Sequence, residues 1–345
     1  MSNAKKEHYV PQCYLRHFAS TDERINVFDK QKMEVRINQD ILNIAMQNRF
    51  YDLNLLKMYK KAEPHEQAKI KAELSELLNS DDIETTLKDI DSQQYIEKEF
   101  LSKDVESIYS NILNKIIKKG YNRSPWYIEN CFALSENEKE ILSLFISIQI
   151  IRTKSFRDTI GSMIEQFVET MAYKSQMHDD DALQKEDFKV IADKEYVKLL
   201  HNGMVLDAEM ALKFAEVLIN HIWVMYVNNT NIPFYTSDNP VVNVPHKNDA
   251  FLSYGGLNSE GIEILFPISP NLLLGMYHSK TYHSNINDRR YMAVNDTKWV
   301  EYFNRAQVVN SQRCIFSNSD NFDLAEKICR ENPEIQIYKS RIEVL

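Results

Sequence analysis

The chain has 345 residues, 43% of them hydrophobic, and a formal net charge of −9. The hydrophobic share is close to the globular average, so we expect a folded core, and the length allows one large domain or two joined ones. The acidic balance argues against a protein that binds nucleic acid non-specifically, because such binding comes mainly from neutralising phosphates.

Glycine is scarce, with only 7 in the chain. Loops that bind phosphate through their backbone need glycines, and neither G-x-x-x-x-G-K-[ST] nor G-x-G-x-x-G occurs. The nucleophile elbow G-x-S-x-G and the zinc motif H-E-x-x-H are also missing. These absences exclude P-loop and Rossmann nucleotide sites and argue against two common hydrolase types.

The cysteines are widely separated, without a C-x-x-C pair: Cys13, Cys131, Cys314 and Cys329. This spacing predicts no structural zinc and favours a reducing compartment. The polar start Met1 to Lys6 has no apolar segment behind it, and the longest apolar run, Ile141 to Ile151, is too short to cross a bilayer. We expect a cytoplasmic protein that does not contact membranes.

The chain opens with His8-Tyr9-Val10-Pro11-Gln12, and a proline-stiffened segment of this kind predicts a docked N-terminus rather than a frayed one. Residues 24–29 and 33–37 alternate in polarity on either side of a Lys-Gln-Lys turn, which indicates a β-hairpin. Residues 54–90 are rich in charge and helical in period. We interpret them as a helical excursion on the surface.

Two long helices follow. Apolar residues at helical spacing predict the first over 93–119: Leu101, Val105, Ile108, Ile112 and Ile116. The second begins at Ser135, where Glu138 completes a capping box, and is predicted to continue to about residue 176. Because it is apolar nearly all round through Ile151, we place it at the centre of the fold.

Strand patterns dominate the C-terminal third. Two hairpins are predicted, one from 223–227 with 232–236 and one from 262–266 with 272–277. The sequence therefore predicts an α+β fold with long central helices packed on a mostly antiparallel sheet. We expect a single domain over 1–345, mainly helical over 93–220 and sheet-rich over 221–345.

Gln149 and Arg152 lie on the same helical stripe as Phe145 and Phe156. A buried arginine is costly unless it is paired, so Arg152 should meet a carboxylate, a carbonyl or an anionic ligand. A structural ion pair and a contact to ligand are both open for it.

Glu99 and Glu106 are seven residues apart, which is two turns of an α-helix on one face. Carboxylates so placed can hold a divalent metal or act in acid–base catalysis. The alternative is that both are solvent-facing glutamates and that Glu106 pairs with Arg152.

Thr236-Ser237-Asp238-Asn239-Pro240 closes an apolar strand with four polar side chains. Asp238 is a candidate metal ligand or general base, because such residues are common in loops at strand ends. In the alternative it bonds within its own turn. His8 and Gln12 in the opening segment, and Arg49 before two aromatics, are further candidates.

The chain resembles the bacterial family called domain of unknown function 4238. The motifs that carry the resemblance are H-[YF]-V-P-Q-x-Y-L-x-x-F at 8–18, R-F-Y at 49–51, Q-x-x-R-T at 149–153, T-S-D-N-P at 236–240 and an R-x-[IV]-[FY]-S strand at 313–317. Cys13 departs from the more usual aromatic. No activity comes with the family, but the resemblance implies that one site unites His8, Gln12, Arg49, Glu99, Glu106, Gln149, Arg152 and Asp238.

Two functions follow from these candidates. In the first, a metal-dependent hydrolase acts on a phosphate-containing substrate, with a nuclease as one form. Glu99, Glu106 and Asp238 would bind Mg²⁺ or Mn²⁺. His8, Glu106 and Asp238 would be catalytic, and Gln12, Arg49, Gln149 and Arg152 would bind substrate. In the second, a non-catalytic sensor or interaction protein, with stress or phage defence as a setting, uses the same polar residues to bind a ligand or to fix helix packing.

Overall fold

The structure is a computed structural model. It describes residues 6–78, 82–93, 95–120, 132–175, 189–247, 249, 254–282 and 288–339. Within these residues the chain is α+β, with antiparallel sheets and long helices, as the sequence predicts. Every helix of the described part is too short or too polar to cross a lipid bilayer.

The described strands are short and number eleven: β1 (Lys6–His8), β2 (Arg24–Asp29), β3 (Glu34–Asp40), β4 (Met46–Asn48), β5 (Ile222–Asn228), β6 (Thr236–Ser237), β7 (Val242–Pro245), β8 (Ile262–Ser269), β9 (Leu272–Tyr277), β10 (Arg290–Val294) and β11 (Cys314–Ser317). They form three sheets, in the orders β10-β5-β9-β8-β7, β3-β2-β11-β6 and β1-β4. All pairs are antiparallel except β10 with β5.

The described α-helices are α1 (Gln12–Leu15), α2 (Leu55–Lys61), α3 (Pro64–Leu78), α4 (Ile83–Gln93), α5 (Ser107–Gly120), α6 (Glu136–Ile151), α7 (Lys154–Ser175), α8 (Lys194–Leu206), α9 (Ala208–Ile219), α10 (Ser279–Tyr282), α11 (Thr297–Asn310) and α12 (Asp323–Glu331). A π-helix, Ile96–Glu106, leads directly into α5, and 3-10 turns span Arg16–Phe18, Ile41–Asn43 and Pro333–Gln336.

The main core lies between the five-stranded sheet and the helices α5, α6 and α9. Strands β5, β8 and β9 are buried along their whole length, and their two faces contribute to different clusters. One face meets those three helices, and the other packs on α11. Burial on both faces explains why these strands are continuously apolar rather than alternating.

The opening segment is docked, as its proline and aromatic residues predict. Strand β1 pairs with β4, and Val10 and Tyr14 have no exposed surface. The Tyr14 hydroxyl donates to the Pro267 carbonyl oxygen at 2.6 Å and lies 2.6 Å from the Thr236 hydroxyl. Tyr14 thus joins the N-terminal motif to the T-S-D-N-P segment, 222 residues further along the chain.

The predicted hairpin near the N-terminus is confirmed as β2 and β3. The strand that continues the sheet beyond this hairpin comes from a distant part of the chain. Strand β2 also pairs with β11 from the C-terminal third, and β11 pairs with β6. The second sheet is therefore made from both ends of the chain.

The first long helix differs from the prediction because its first half, Ile96–Glu106, is a π-helix. Its i→i+5 hydrogen bonds put more residues in each turn, which changes the residues that face the core. Ile108 is 53% exposed, and Tyr109 is buried in its place. The apolar stripe is otherwise buried at its remaining predicted positions.

The second long helix is broken at Arg152 and Thr153, where α6 ends and α7 begins. The Thr153 hydroxyl donates to the Ile150 carbonyl oxygen and accepts from the Phe156 amide. A hydroxyl that bonds to nearby backbone competes with the helical hydrogen bonds, and this accounts for the break. The predicted capping box of Ser135 and Glu138 is confirmed.

The predicted hairpin of 223–227 with 232–236 is wrong, whereas the pairing of β8 with β9 is confirmed. Strand β5 has β9 and β10 on its two edges, so no edge is free for 232–236. Pro233 lacks an amide hydrogen for a sheet ladder. The segment leaves instead toward the second sheet, where the Tyr235 amide donates to the Asn304 side chain.

Candidate functional site

Arg152 is the centre of a buried polar cluster between the opening segment, the π-helix and α6. Its side chain is 1% exposed. One guanidinium nitrogen donates to Glu106 Oε1 at 2.9 Å, and the other donates to the His8 carbonyl oxygen at 2.6 Å. The ion pair with Glu106, one of the two alternatives left open by the sequence, is the arrangement present.

His8 and Gln12 belong to the same cluster. The Gln12 amide nitrogen lies 3.3 Å from His8 Nδ1, and Glu97 Oε1 is 3.8 Å from that ring nitrogen. The His8 backbone amide also donates to Glu97 Oε1 at 3.2 Å. His8 is therefore held by a carboxylate, an amide and, through its carbonyl, the Arg152 guanidinium.

Gln149 and Glu7 extend the cluster toward the backbone. The Gln149 amide donates to the Tyr9 carbonyl oxygen at 3.3 Å, and Glu7 Oε2 accepts from the Tyr51 amide at 2.6 Å. Burial, reinforced by the neighbouring Asp52 carboxyl, raises the pKa of Glu7 to about 7. A carboxyl group with such a pKa is partly protonated near neutrality.

Phe50 and Tyr51 of the R-F-Y motif pack on a second buried cation. The Arg157 guanidinium lies 3.5 Å from the centre of the Phe50 ring and donates to His201 Nδ1 at 3.1 Å. Burial, with Arg157 adding to it, lowers the pKa of His201 to about 3. His201 is thus a neutral acceptor that orients the arginine.

Several buried polar atoms of the cluster have no hydrogen-bond partner: Glu97 Oε2, Tyr109 Oη, Gln149 Oε1 and Arg152 Nε. They belong to side chains whose other polar atoms, Tyr109 excepted, are engaged with neighbours in the same cluster. Tyr109, Gln149 and Arg152 are each at most 2% exposed. The cluster is therefore closed by its own contacts.

Asp238 lies elsewhere and binds backbone. Its carboxylate accepts from the amides of Gln312, Arg313 and Cys314, each at 2.8 Å. These contacts fix the start of β11. Asp238 does not bond within its own turn, and it does not lie in the Arg152 cluster. Burial raises the pKa of the Asp238 carboxyl to about 6, and the three amide donors limit this rise.

Two further predicted residues lie on the surface. Glu99 pairs with Lys103, and its side chain is 47% exposed. In an α-helix Glu99 and Glu106 would share a face, but the π-helix separates their directions, so that Glu97 faces His8 instead. Arg49 is exposed, with a left-handed backbone (φ 54°).

The three carboxylates predicted to share a metal ion have separate partners, and the structure does not bring them together. Glu99 contacts Lys103, Glu106 contacts Arg152, and Asp238 contacts backbone amides. Among the residues that the structure describes, no group of three or more His, Cys, Asp or Glu side chains could hold a metal ion.

A cleft of about 1070 Å³ opens beside the break between α6 and α7. Its walls come from the first turns of α7, the segment after β6, strand β7 and the segment between β7 and β8, the end of α11 and the segment after α12. Most of its exposed wall surface is apolar, with Phe156 and Phe214 among the side chains, although about half of the lining residues are polar or charged. A concave site of about this size is typical of small-molecule binding.

Two of the motifs found in the sequence reach this cleft. Thr153 ends Q-x-x-R-T and lines it, and Asn239 of T-S-D-N-P lines it as well. In each motif the neighbouring charged residue, Arg152 or Asp238, is buried and bonded inside the protein. The motifs thus combine an interior anchor with a residue on the cleft wall.

The family model described as "Protein of unknown function (DUF4238)" matches residues 6–321. The chain belongs to this family. The matched region includes β1 to β11 and every motif quoted above, so the DUF4238 fold contains both the Arg152 cluster and most of the cleft wall. No curated protein and no solved structure matches the chain.

Five of the eight residues predicted from the sequence lie together: His8, Gln12, Glu106, Gln149 and Arg152. Glu7 and Glu97 of the cluster were not selected from the sequence. Glu7 directly precedes the opening motif, and this position was the one available indication that it belongs to the site. The cleft residues Asn243 and Asn310 were not predicted either, since they lie on a strand and a helix end without a motif.

Proposed function

We propose that this DUF4238 protein is a non-catalytic binding protein that takes a small organic ligand in the cleft beside Thr153 and Asn239. The observation that carries the proposal is this cleft of about 1070 Å³, which two separate motifs reach, Q-x-x-R-T through Ile150 and Thr153 and T-S-D-N-P through Asn239. The Arg152 cluster then has a packing role that fixes the helices behind the cleft wall.

The connection between the two regions supports the proposal. Arg152 caps α6 inside the protein, and the following residue, Thr153, stands at the start of α7 on the cleft wall. Residues held on rigid elements by buried hydrogen bonds make a pre-organised site. Ser237 Oγ adds to this rigidity, because it donates to Gln307 of α11 behind the same wall.

The contacts of the predicted catalytic residues favour binding over metal-dependent hydrolysis. Hydrolysis by a bound metal needs carboxylates that share the ion and a site open to substrate. Glu106 is paired with Arg152, whose side chain is 1% exposed, and Asp238 is occupied by three backbone amides. A ligand in the cleft requires neither of these groups to be released.

A blocked cleft tests this function. In Asn243→Trp an indole replaces a cleft-lining amide, whereas Asn318→Trp makes the same change at an exposed position outside the cleft wall. A fragment library is screened by ligand-detected NMR against wild type and both variants, with melting temperatures measured for each. We expect fragments that bind wild type and Asn318→Trp but not Asn243→Trp, and that are recovered unchanged after incubation.

Two results would contradict the proposal. One is a screen in which no fragment depends on Asn243, although both variants melt near the wild-type temperature. The other is chemical conversion of a cleft-dependent fragment, which would show that the protein is an enzyme.

A further inference from the structure

The chemical class of the ligand can be inferred from the polar atoms of the cleft wall. Three asparagines line the cleft, and each amide nitrogen donates to a backbone carbonyl oxygen. Asn239 donates to Asn310 at 3.0 Å, Asn243 to Gly255 at 2.9 Å and Asn310 to Ala306 at 2.8 Å. Because a carbonyl oxygen accepts hydrogen bonds only, each amide must present its nitrogen to the protein.

Each amide therefore keeps both lone pairs of its oxygen and one further hydrogen on its nitrogen, so acceptors outnumber donors among these groups. No donor among the described residues reaches Oδ1 of Asn239, Asn243 or Asn310, and all three residues are half-buried rather than sealed. Their oxygens come from three different elements: the segment after β6, strand β7 and the end of α11. Acceptors from three directions favour a ligand with several hydrogen-bond donors.

The hydroxyl groups on the α7 side of the cleft, like the asparagines, donate hydrogen bonds to the protein. Thr153 donates its proton to Ile150 O at 2.9 Å, Ser155 to Thr153 Oγ1 at 3.0 Å and Thr159 to Ser155 O at 2.9 Å. A hydroxyl that has donated its one proton can only accept from a further partner. Thr153 Oγ1 already accepts from the Phe156 amide and from Ser155, so the acceptors on this wall are the hydroxyl oxygens of Ser155 and Thr159.

Two lysines of the lining, which could attract an anion, are engaged with protein oxygens. Lys30 donates to the Ser311 carbonyl oxygen at 2.6 Å, and Lys247 pairs with Glu260 at 2.6 Å. Both would have to give up or share these contacts to bind a phosphate group, the ligand predicted from sequence.

The remaining charges of the lining do not favour an anion either. Lys339 is exposed, and the carboxylates of Asp249 and Glu334 line the same cleft. The net charge of −9 adds a field that disfavours anions. Asp249 and Glu334 are as exposed as Lys339, so the charges of the lining select neither sign, and the hydrogen-bond acceptors carry the inference.

We infer that the ligand is an organic amine: a molecule with an apolar ring body and N–H groups that donate to the asparagine oxygens. The ring body fits the aromatic part of the wall, which includes Phe156, Phe214 and Tyr254. This inference rests on the proposed binding function, which it narrows to one class of ligand.

Two matched probes test the class directly. Tryptamine and indole-3-propionate share the indole ring and the two-carbon chain, and they differ only in an ammonium or a carboxylate at the end. Their dissociation constants are measured by ligand-detected NMR on the full chain, with inorganic phosphate as a competitor. We expect tryptamine to bind at least about tenfold more tightly than indole-3-propionate, since charge-assisted hydrogen bonds to the amide oxygens form only with the amine.

Asn243→Leu removes one of the oxygens while keeping a side chain of similar size. We expect tryptamine binding to weaken about five- to tenfold, the effect of one hydrogen bond, and indole-3-propionate binding to stay the same or improve. Asn318→Leu is the matched control and should change neither value. A loss of structure alone would weaken both probes together.

The outcomes separate the two proposals. Tighter binding of indole-3-propionate, or displacement of tryptamine by inorganic phosphate, would overturn the amine inference and leave the cleft as a binding site. Binding of neither probe, when other fragments occupy the cleft, would also overturn the amine inference alone. A cleft that takes no fragment at all would overturn both.

Discussion

The Arg152 cluster and the cleft beside Thr153 are adjacent in sequence and opposite in character. In the cluster, charged groups are buried and bonded to one another, with Arg152 donating to both Glu106 and His8. In the cleft, mostly uncharged polar groups are half-buried, and the amide oxygens of Asn239 and Asn243 accept no hydrogen bond from the described residues. Charged residues in a motif therefore need not mark the place where a ligand binds.

The largest effect that separates the two regions should follow loss of the Arg152 guanidinium. Arg152→Gln leaves Glu106 and the His8 carbonyl oxygen without their buried partner. Removal of one member of a buried ion pair typically costs about 3–5 kcal/mol. We expect urea denaturation to show a decrease of this size in the free energy of unfolding.

The matched control for this variant is Arg16→Gln. Arg16 pairs with Glu23 at a similar distance, 2.7 Å, but both side chains are about half exposed. Exposed ion pairs contribute less than about 1 kcal/mol. Equal losses in the two variants would refute the structural role of the Arg152 cluster.

Asp238→Asn should have the next largest effect. The amide can accept at only one of its two terminal atoms, and three backbone amides now donate to the carboxylate. A buried donor left without a partner costs about 1–3 kcal/mol. We expect a lower midpoint of urea denaturation, whereas Asp320→Asn at an exposed position should leave the midpoint unchanged.

A structural Asp238 and a catalytic Asp238 make different predictions for this variant. Catalytic groups are commonly held at the expense of stability, so their neutral replacement leaves stability unchanged or raises it. A higher midpoint in Asp238→Asn would therefore favour a catalytic role for this carboxylate over its role in fixing the start of β11.

The smallest effect concerns pH and Glu7. Burial raises the folded-state pKa of Glu7 to about 7 from an ordinary 4.5, so the folded protein holds this proton more tightly than the unfolded chain does. The stability that Glu7 contributes is complete below about pH 4.5 and is lost as the pH rises to about 7. Glu7→Gln keeps an acceptor for the Tyr51 amide and does not titrate.

We expect the free energy of unfolding of the wild type to fall between pH 4.5 and 7 more steeply than that of Glu7→Gln, by about 1–3 kcal/mol over this range. Chemical denaturation at intervals across the range measures the difference. Parallel curves for the two proteins would show that Glu7 has an ordinary pKa.

The sequence predicted most of the architecture because local patterns determine it. Apolar periodicity identified the long helices, and the Ser135 capping box marked the beginning of α6. The N-terminal hairpin and the pair β8–β9 were also visible, since each is a local pairing. The pairing of β2 with β11 was not, because nothing near either strand specifies a partner about 290 residues away.

The site was harder to predict for two physical reasons. The π-helix changes the spacing that places two side chains on one face, and this made Glu99 rather than Glu97 the apparent partner of Glu106. The cleft is formed by side chains from separate elements. Its three asparagines share one property, that the amide nitrogen donates to a backbone carbonyl oxygen. Asn243 and Asn310 have no local pattern that distinguishes them from ordinary polar residues.

The place where a ligand binds is tested most directly by a crystal structure of the wild-type protein with the strongest fragment from the screen. We predict density for the fragment between Thr153 and Asn239, with the Arg152 to Glu106 contact of 2.9 Å unchanged. A fragment bound between His8 and Glu97, with Arg152 and Glu106 separated, would contradict this prediction and make the buried cluster the functional site.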